Sequence, residues 1–313
     1  MEYAYSLEYQ DVIDAEKAYE LYWEGIISDK QAFICPEPDC NAQFTCSSID
    51  KEIRFLKQKP HFRCYSNHKN NCPNKEEKTS GTDSDDGQAK NNLGYIDPLI
   101  DVLLLKRKEK SPNVINNDPS IENDHNRIKR KMKSAIEANG NRKPEYVTIM
   151  PIVTKFQKYL ELGTTANHYI QNQGRNISYS DMFINLDDGE LDWFSNFNRV
   201  YFGKAKVIKV KNKEDHFRIV FMEELKYKNK AYIPSAYISS TIISSSYRNI
   251  KWLKELKELQ QSGKEINVFI YGKIKLKQVE QKEYFNIEIS EAKLDFIDIR
   301  YDEETLALDF IKN

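Results

Sequence analysis

The sequence predicts an α+β protein with three parts: an N-terminal cysteine-rich ribbon, a mostly helical middle segment and a C-terminal barrel of five short strands. Three observations lead to this prediction. All five cysteines fall within residues 35–72, residues 74–92 hold almost no apolar side chain, and runs with strand periodicity follow one another over 199–300. A chain of 313 residues is long enough for two or three such domains. The predicted divisions are 1–73, a linker over 74–92, 93–195 with a flexible 107–126, 196–300, and an acidic tail over 301–313.

The first 73 residues are predicted to combine one helix with a metal-binding ribbon. Asp11–Trp23 places apolar side chains along one side of a helix, and Gln31–Ile34 follows as a short strand. A hairpin of Gln43–Thr45 and Glu52–Leu56 would form the ribbon. This hairpin separates two groups of cysteines along the chain.

Two close pairs of thiol and imidazole side chains flank that hairpin. Cys35 and Cys40 have four residues between them, and His68 and Cys72 have three. Zinc prefers four tetrahedral thiolate and imidazole ligands, delivered as two pairs from two turns. The spacing therefore predicts a Zn²⁺ site formed by these four residues. Such a site is structural, because no coordination position remains for an activated water.

The spacing leaves other ligand sets open. Cys64 could take the place of His68, and His61 or Cys46 could serve in a distorted arrangement. His68 is favoured because its separation from Cys72 is typical of zinc pairs, whereas Cys64 lies on a predicted strand. Five unligated cysteines in so short a segment form the less favoured alternative.

A Phe-Ile-Cys-Pro turn, a second cysteine, a His-Phe strand and two closing ligands follow one another in this segment. These residues are Phe33, Ile34, Cys35, Pro36, Cys40, His61, Phe62, His68 and Cys72. The pattern resembles the N-terminal zinc-finger segment of the CoiA family of bacterial competence proteins. That family continues into a nuclease-like domain, for which this sequence holds no convincing counterpart, since Glu291-Ala292-Lys293 lacks an upstream acidic partner. The resemblance therefore implies a zinc module without assigning it a role.

The middle segment is predicted from apolar periodicity and from its prolines. A helix is expected within Leu93–Lys106, beginning near Pro98. A second helix is expected over Met150–Leu162, with Pro151 in its first turn. Ile177–Leu186 alternates as a strand does.

From residue 199 onwards, five runs have strand character, and a helix separates the third run from the fourth. The strands are expected at Arg199–Lys211, His216–Glu223, Ala231–Ile238, Ile266–Lys277 and Tyr284–Phe296. The helix is expected from about Ile250 to its stop at Gly263. This order of elements, with a first strand able to curl at Gly203, resembles the OB-fold, a five-stranded Greek-key barrel that commonly binds oligonucleotides.

One side of the fourth predicted strand indicates a binding surface. Phe269, Tyr271, Lys273 and Lys275 share that side, and residues 199–300 hold 21 Lys and Arg against 13 Asp and Glu in a chain of net charge −1. Because cations attract phosphates and rings stack on bases, this composition favours single-stranded DNA or RNA as the ligand. The residues predicted to line the groove are Lys204, Lys206, Arg218, Tyr232, Phe269, Tyr271, Lys273 and Lys275.

The sequence holds no glycine-rich phosphate loop, no serine in a nucleophile elbow and no paired histidines on a helix. An enzyme is therefore not predicted, and a nuclease with a dispersed site is the least favoured hypothesis. The second hypothesis is an adaptor that recruits a protein partner, such as a nuclease or helicase of a mobile-element or anti-phage system. The N-terminus lacks a signal-peptide pattern and no apolar run reaches the length of a membrane span, so a cytoplasmic protein is expected.

Overall fold

The computed structural model describes residues 3–51, 59–75, 100–106, 143–187, 197–246, 249–279 and 282–301. The chain divides into two units by its internal contacts. The N-terminal unit comprises Met1–Leu99 and Lys108–Pro144, and the barrel unit comprises Ile100–Arg107 and Glu145–Asn313. Most of the predicted linker, the segment 107–126 and the tail beyond Tyr301 lie outside the described residues.

A five-stranded antiparallel sheet, in the order β2-β1-β3-β4-β5, forms the described part of the N-terminal unit together with helix α1. The elements are β1 (Tyr3–Ser6), β2 (Asp11–Asp14), α1 (Ala15–Trp23), β3 (Phe33–Ile34), β4 (Gln43–Ser47) and β5 (His61–Cys64). The Asp14 carboxylate caps α1 by accepting a hydrogen bond of 2.7 Å from the Lys17 amide. The predicted helix therefore begins at Ala15 rather than at Asp11, because Asp11–Asp14 pairs with β1 as a strand.

β4 pairs with β3 on one side and with β5 on the other, and the second pairing places Phe44 opposite Cys64 and Cys46 opposite Phe62. The partner predicted for β4, Glu52–Leu56, lies outside the described residues. Buried aromatic rings line one face of this part of the sheet, with the ring centroids of Phe33 and Phe62 5.0 Å apart. That face fixes the register, because a slip of one residue would move these rings to the other side of the sheet.

The described part of the middle segment contains a four-stranded sheet, in the order β7-β6-β8-β9, so it is not mostly helical. Its elements are β6 (Ile100–Leu103), β7 (Glu145–Tyr146), α2 (Met150–Glu161), β8 (Tyr169–Asn172), β9 (Arg175–Ser178) and α3 (Tyr179–Met182). The helix α2 is confirmed, but the helix predicted from Pro98 is wrong because Ile100–Leu103 is a strand between β7 and β8. The strand predicted over Ile177–Leu186 is interrupted by α3.

Strand β6 carries a buried carboxylate, that of Asp101. Asp101 is 1% exposed, and its two oxygens bind the Lys155 ammonium at 2.8 Å and the Tyr179 hydroxyl at 2.7 Å. Burial, followed by the negative charge of Asp101, raises the pKa of Tyr179 well above its usual value. Asp101 therefore links β6 to α2 through the Lys155 ion pair and to α3 through the Tyr179 hydrogen bond, so its buried charge is paired.

The remaining strands include five that close into a barrel, as predicted. The strands described in this part of the chain are β10 (Phe183–Asn185), β11 (Arg199–Lys209), β12 (Phe217–Phe221), β13 (Leu225–Tyr227), β14 (Lys230–Tyr232), β15 (Ser235–Ile238), β16 (Ile266–Val279), β17 (Lys282–Ile289) and β18 (Ile297–Arg300). The closed ring runs β11-β12-β15-β17-β16 and returns to β11, and β15 and β17 are its parallel neighbours. Helices α4 (Ser240–Ser244) and α5 (Asn249–Ser262) connect β15 to β16.

Elements outside the ring cover part of the barrel. Strand β10 runs parallel to β11, and β18 runs antiparallel to β16. The ring of Phe156 on α2 stacks on Phe183 of β10 with a centroid distance of 3.8 Å, and Phe183 contacts Phe202 of β11 and Phe269 of β16. Residues on both sides of β16 are consequently buried over its first half.

Candidate metal centre and barrel surface

Each pair of predicted metal ligands lies in a turn beside the end of a strand. Cys35 follows β3 and Cys40 precedes β4, and the Cys40 amide donates to the Glu37 carbonyl at 2.9 Å. His68 and Cys72 follow β5, and an equivalent hydrogen bond of 3.0 Å closes the turn at Cys72. Because β3 and β5 are both antiparallel to β4, the ends of both strands meet at the start of β4. The sheet therefore brings the two turns together.

The four ligand atoms of Cys35, Cys40, His68 and Cys72 lie within 4.8 Å of one another. The Sγ atoms of Cys35 and Cys72 are 3.7 Å apart, and His68 Nδ1 lies 3.4 Å from Cys40 Sγ and 3.3 Å from Cys72 Sγ. The three cysteines are buried and the histidine is half-buried. This arrangement could hold one metal ion, and the part of the chain that the structure describes contains no other such group of His, Cys, Asp or Glu.

Neighbouring groups act on the sulfur atoms of the cluster. Asn74 Nδ2 donates to Cys35 Sγ at 3.4 Å. Burial works against the thiolate of Cys40, but hydrogen bonds from the backbone at Lys69 and Ala42 and from the Cys72 and Cys35 thiols together lower the pKa of this thiol. Burial prevails at Cys35 and raises its pKa. A bound cation would offset that cost, because the thiolate is the form that ligates metals.

The alternative ligands lie outside the cluster. Cys46 is buried on the aromatic face of β4, and this burial raises the pKa of its thiol. Cys64 is exposed and donates to the Ser66 carbonyl at 2.9 Å. His61 is also exposed, with Nδ1 2.9 Å from the Lys59 carbonyl. The residues that the fold brings together are therefore the two pairs favoured by the spacing.

Two of the rings predicted to stack on bases are buried in the barrel unit. Phe269 is 0% exposed and Tyr271 is 1% exposed. Phe269 stacks on Phe202 with centroids 5.2 Å apart, and Tyr271 packs against Phe296 at 5.5 Å. Burial raises the pKa of Tyr271 to about 12. The prediction is wrong at these two positions, because the alternation along β16 does not reveal that other elements cover its second face.

The other predicted groove residues reach the surface to different degrees. Lys204 and Lys275 are exposed, and Lys206, Arg218, Tyr232 and Lys273 are half-buried. Lys206 Nζ lies 3.2 Å from a Glu265 oxygen, and Lys275 Nζ lies 2.6 Å from a Glu288 oxygen. The Tyr232 hydroxyl donates to a carboxylate as well. Surface ion pairs of this kind contribute only about 0–1 kcal/mol, so they leave the lysines able to exchange partners.

A cation and two rings meet on the outer side of β12, β15 and β17. Arg218 on β12 lies opposite Tyr237 on β15, and its guanidinium carbon lies 5.5 Å from the ring centroid of Tyr284 on β17. Arg218 Nη1 also donates to Ser235 Oγ at 3.2 Å. We call Arg218, Tyr237 and Tyr284 the outer-face cluster. The sequence prediction missed both tyrosines, although each lies next to a buried residue of its strand.

The loop between β11 and β12 holds one of these rings in place. His216 Nδ1 lies 2.5 Å from the Tyr237 hydroxyl, and its Nε2 lies 3.1 Å from Ser240 Oγ. Lys213 Nζ lies 5.6 Å from the Tyr237 ring centroid. The half-buried Tyr237 ring is therefore oriented by contacts from the loop and from the start of α4.

None of the described helices combines the length and the apolar composition needed to cross a membrane. No family model, curated protein or solved structure matches this chain.

Proposed function

We propose that this chain is a zinc-containing protein whose barrel is an OB-fold that binds single-stranded nucleic acid. The fold assignment is supported by the strand order β11-β12-β15-β17-β16, by the parallel pairing of β15 with β17, and by the helices between the third and fourth barrel strands. OB-folds bind oligonucleotides on the face of their second and third strands and on the adjoining loops. The corresponding strands here are β12 and β15.

The outer-face cluster is the observation that carries the proposal. The guanidinium of Arg218 and the ring of Tyr237 lie on the two strands where an OB-fold would bind its ligand, and the ring of Tyr284 lies beside that guanidinium on the neighbouring strand β17. Lys277 lies directly opposite Tyr284 in the β16–β17 ladder, and Lys273 and Lys275 share the same side of β16. Cations beside partly exposed rings suit sequence-independent binding, in which each stacked base contributes roughly 1–3 kcal/mol. Tyr237 and Tyr284 therefore replace Phe269 and Tyr271 as the proposed stacking residues.

The proposed metal is zinc, held in a structural role. With Zn–S bonds of about 2.3 Å and Zn–N bonds of about 2.0–2.1 Å, a tetrahedral site needs S···S separations of about 3.8 Å and S···N separations of about 3.6 Å. Three of the six separations, one S···S of 3.7 Å and two S···N of 3.3–3.4 Å, lie within about 0.3 Å of these values, and all six are within 4.8 Å. Three cysteines and one histidine complete a tetrahedron, so the ion would stabilise the N-terminal unit. Metal analysis of the purified protein should find one zinc per chain, and the absence of zinc would overturn this assignment.

Fluorescence anisotropy with a labelled oligothymidylate, titrated at several salt concentrations, tests the nucleic-acid assignment. Tyr284→Ala should weaken binding about five- to 100-fold, because a stacked base loses its ring. Arg218→Gln should also reduce the slope of log affinity against log salt by about one, because one phosphate contact is lost. Tyr169→Ala is the matched control, since this ring is 38% exposed on β8. Unchanged affinity in both cluster variants would overturn the assignment and favour the protein-recruiting alternative.

A further inference from the structure

The outer side of β4 and β5 in the N-terminal unit presents a second set of polar, cationic and aromatic groups. Because side chains alternate along a strand, the buried Phe44 and Phe62 mark one face and the intervening residues mark the other. That second face carries Gln43, Thr45 and Ser47 from β4, and His61, Arg63 and then Tyr65 from the β5 segment. We call His61, Arg63 and Tyr65 the β5 row.

The β5 row is open to solvent. His61 and Arg63 are exposed, and Tyr65 is 52% exposed, the highest value for an aromatic residue in the part of the chain that the structure describes. The three β4 neighbours supply two hydroxyl groups and one amide, and none of the six residues is acidic. The row therefore combines a permanent cation, an uncovered ring and hydrogen-bonding groups. These groups suit a ligand that is a polyanion and also offers rings for stacking.

The end of the β5 row that carries the ring lies close to the candidate metal centre along the chain. The Tyr65 amide donates to the Gln43 carbonyl at 3.1 Å, and the Gln43 amide donates to Ser66 Oγ at 2.7 Å. Two of the metal ligands lie close by along the chain, with Cys40 three residues before Gln43 and His68 three residues after Tyr65. A bound ion would therefore hold both strands in register at this point. Preorganisation of this kind reduces the entropy lost when a ligand binds.

We propose that the β5 row is a second contact surface for single-stranded nucleic acid, kept in shape by the metal centre. Arg63 binds a phosphate and Tyr65 stacks on a base. Alternate residues of a strand repeat at about 6.4–6.8 Å, which is comparable to the nucleotide repeat of an extended single strand. The inference rests on the proposed function for its ligand class, but all of its residues belong to the other unit.

The test compares full-length, zinc-loaded variants. The probe is an oligothymidylate of about 30 nucleotides, longer than the roughly 4–16 that one OB-fold covers. Arg63→Gln combined with Tyr65→Ala should weaken binding about five- to 100-fold, and photo-crosslinking of the wild-type complex should yield a crosslinked peptide that contains Tyr65. The matched control is Lys51→Gln combined with Tyr9→Ala, which removes one cation and one exposed ring elsewhere in the N-terminal unit. Unchanged zinc content shows that a variant has kept its fold.

The outcomes separate this inference from the assignment of the barrel. Unchanged affinity in the β5-row variant, with weakened binding by Tyr284→Ala, overturns the inference and leaves the barrel assignment in place. The reverse result overturns the barrel assignment and supports the β5 row. Absence of binding by the wild-type chain overturns both. Loss of the Tyr65 crosslink after zinc chelation, with the barrel crosslinks retained, supports the dependence on the metal, whereas a Tyr65 crosslink that survives chelation refutes it.

Discussion

The metal centre and the surface of the barrel differ in how far their defining contacts reach along the chain. Each pair of candidate metal ligands sits within one turn, and its spacing alone predicted the cluster that the fold assembles. On β16, by contrast, Phe269 and Lys273 occupy equivalent alternating positions, yet the first is fully buried and the second reaches solvent. The two side chains differ in exposure because elements distant in the sequence cover the first half of β16. Local spacing therefore predicts a cluster of candidate metal ligands more reliably than it predicts an exposed face.

The largest effect is expected from removing a ligand of the metal centre. Cys72→Ser should abolish stoichiometric zinc binding and unfold the N-terminal unit, because structural zinc contributes about 10–16 kcal/mol of binding free energy in zinc-finger peptides. Cys64→Ser should retain one zinc, because this exposed thiol lies outside the cluster. Metal content by mass spectrometry and thermal unfolding by circular dichroism would measure both variants. Zinc retained by the first variant, or lost from the second, would contradict the ligand set.

A smaller effect is expected where a buried ring is compared with a surface ring of the barrel. Phe269→Ala should lower the free energy of unfolding of the barrel unit by about 3–5 kcal/mol, because it opens a cavity between Phe202 and Phe183. Tyr284→Ala removes a half-buried ring and should cost less than half as much. Urea unfolding followed by tryptophan fluorescence would report the difference. Similar losses of unfolding free energy in both variants would mean that the Phe269 and Tyr284 side chains do not differ in burial as described.

Sequence reasoning recovered the closed barrel because its strands and the helix before β16 carry clear periodicity. It failed at β6, where a short apolar run fits a helix or a strand equally well. There the outcome depends on pairing with β7 and β8 and on partners for Asp101 that lie 54 and 78 residues away. Contacts at such separations leave no signal within a local window. The same limit explains why the cover over Phe269 was missed.

The remaining differences between the sequence prediction and the structure concern the boundaries of the strands. The third predicted run, Ala231–Ile238, is divided at Pro234 between β14 and β15, and the fifth run ends as a barrel strand at Ile289. Proline cannot donate to a ladder, so it separates the two strands. Only once these bounds are known does Tyr237 fall on the outer side, opposite Arg218. The chemistry of the outer-face cluster was thus present in the sequence, but its placement required the pairing.

The smallest effect concerns a single carboxylate on the basic side of β16 and β17. Glu288 lies 2.6 Å from Lys275 Nζ and 2.9 Å from Lys277 Nζ, and hydrogen bonds from these lysines hold its pKa below the usual value. The ion pairs are therefore intact at neutral pH and are lost only as the pH falls through that lowered pKa. Glu288→Gln should leave stability nearly unchanged, because exposed pairs contribute about 0–1 kcal/mol. It should strengthen oligonucleotide binding about two- to five-fold at low salt, because two lysines lose a competing anion.

Glu258→Gln on α5 is the matched control, since it removes the same charge from a side chain that pairs with Lys254 at 3.8 Å. The gain at Glu288 should disappear at high salt, where screening removes the influence of one surface charge. Anisotropy titrations of the two variants at low and high salt would show whether the gain depends on the position of the charge. An equal gain in both variants would mean that only net charge matters. In that case the barrel would have no particular binding side, and the contrast between its covered and open faces would lose its functional meaning.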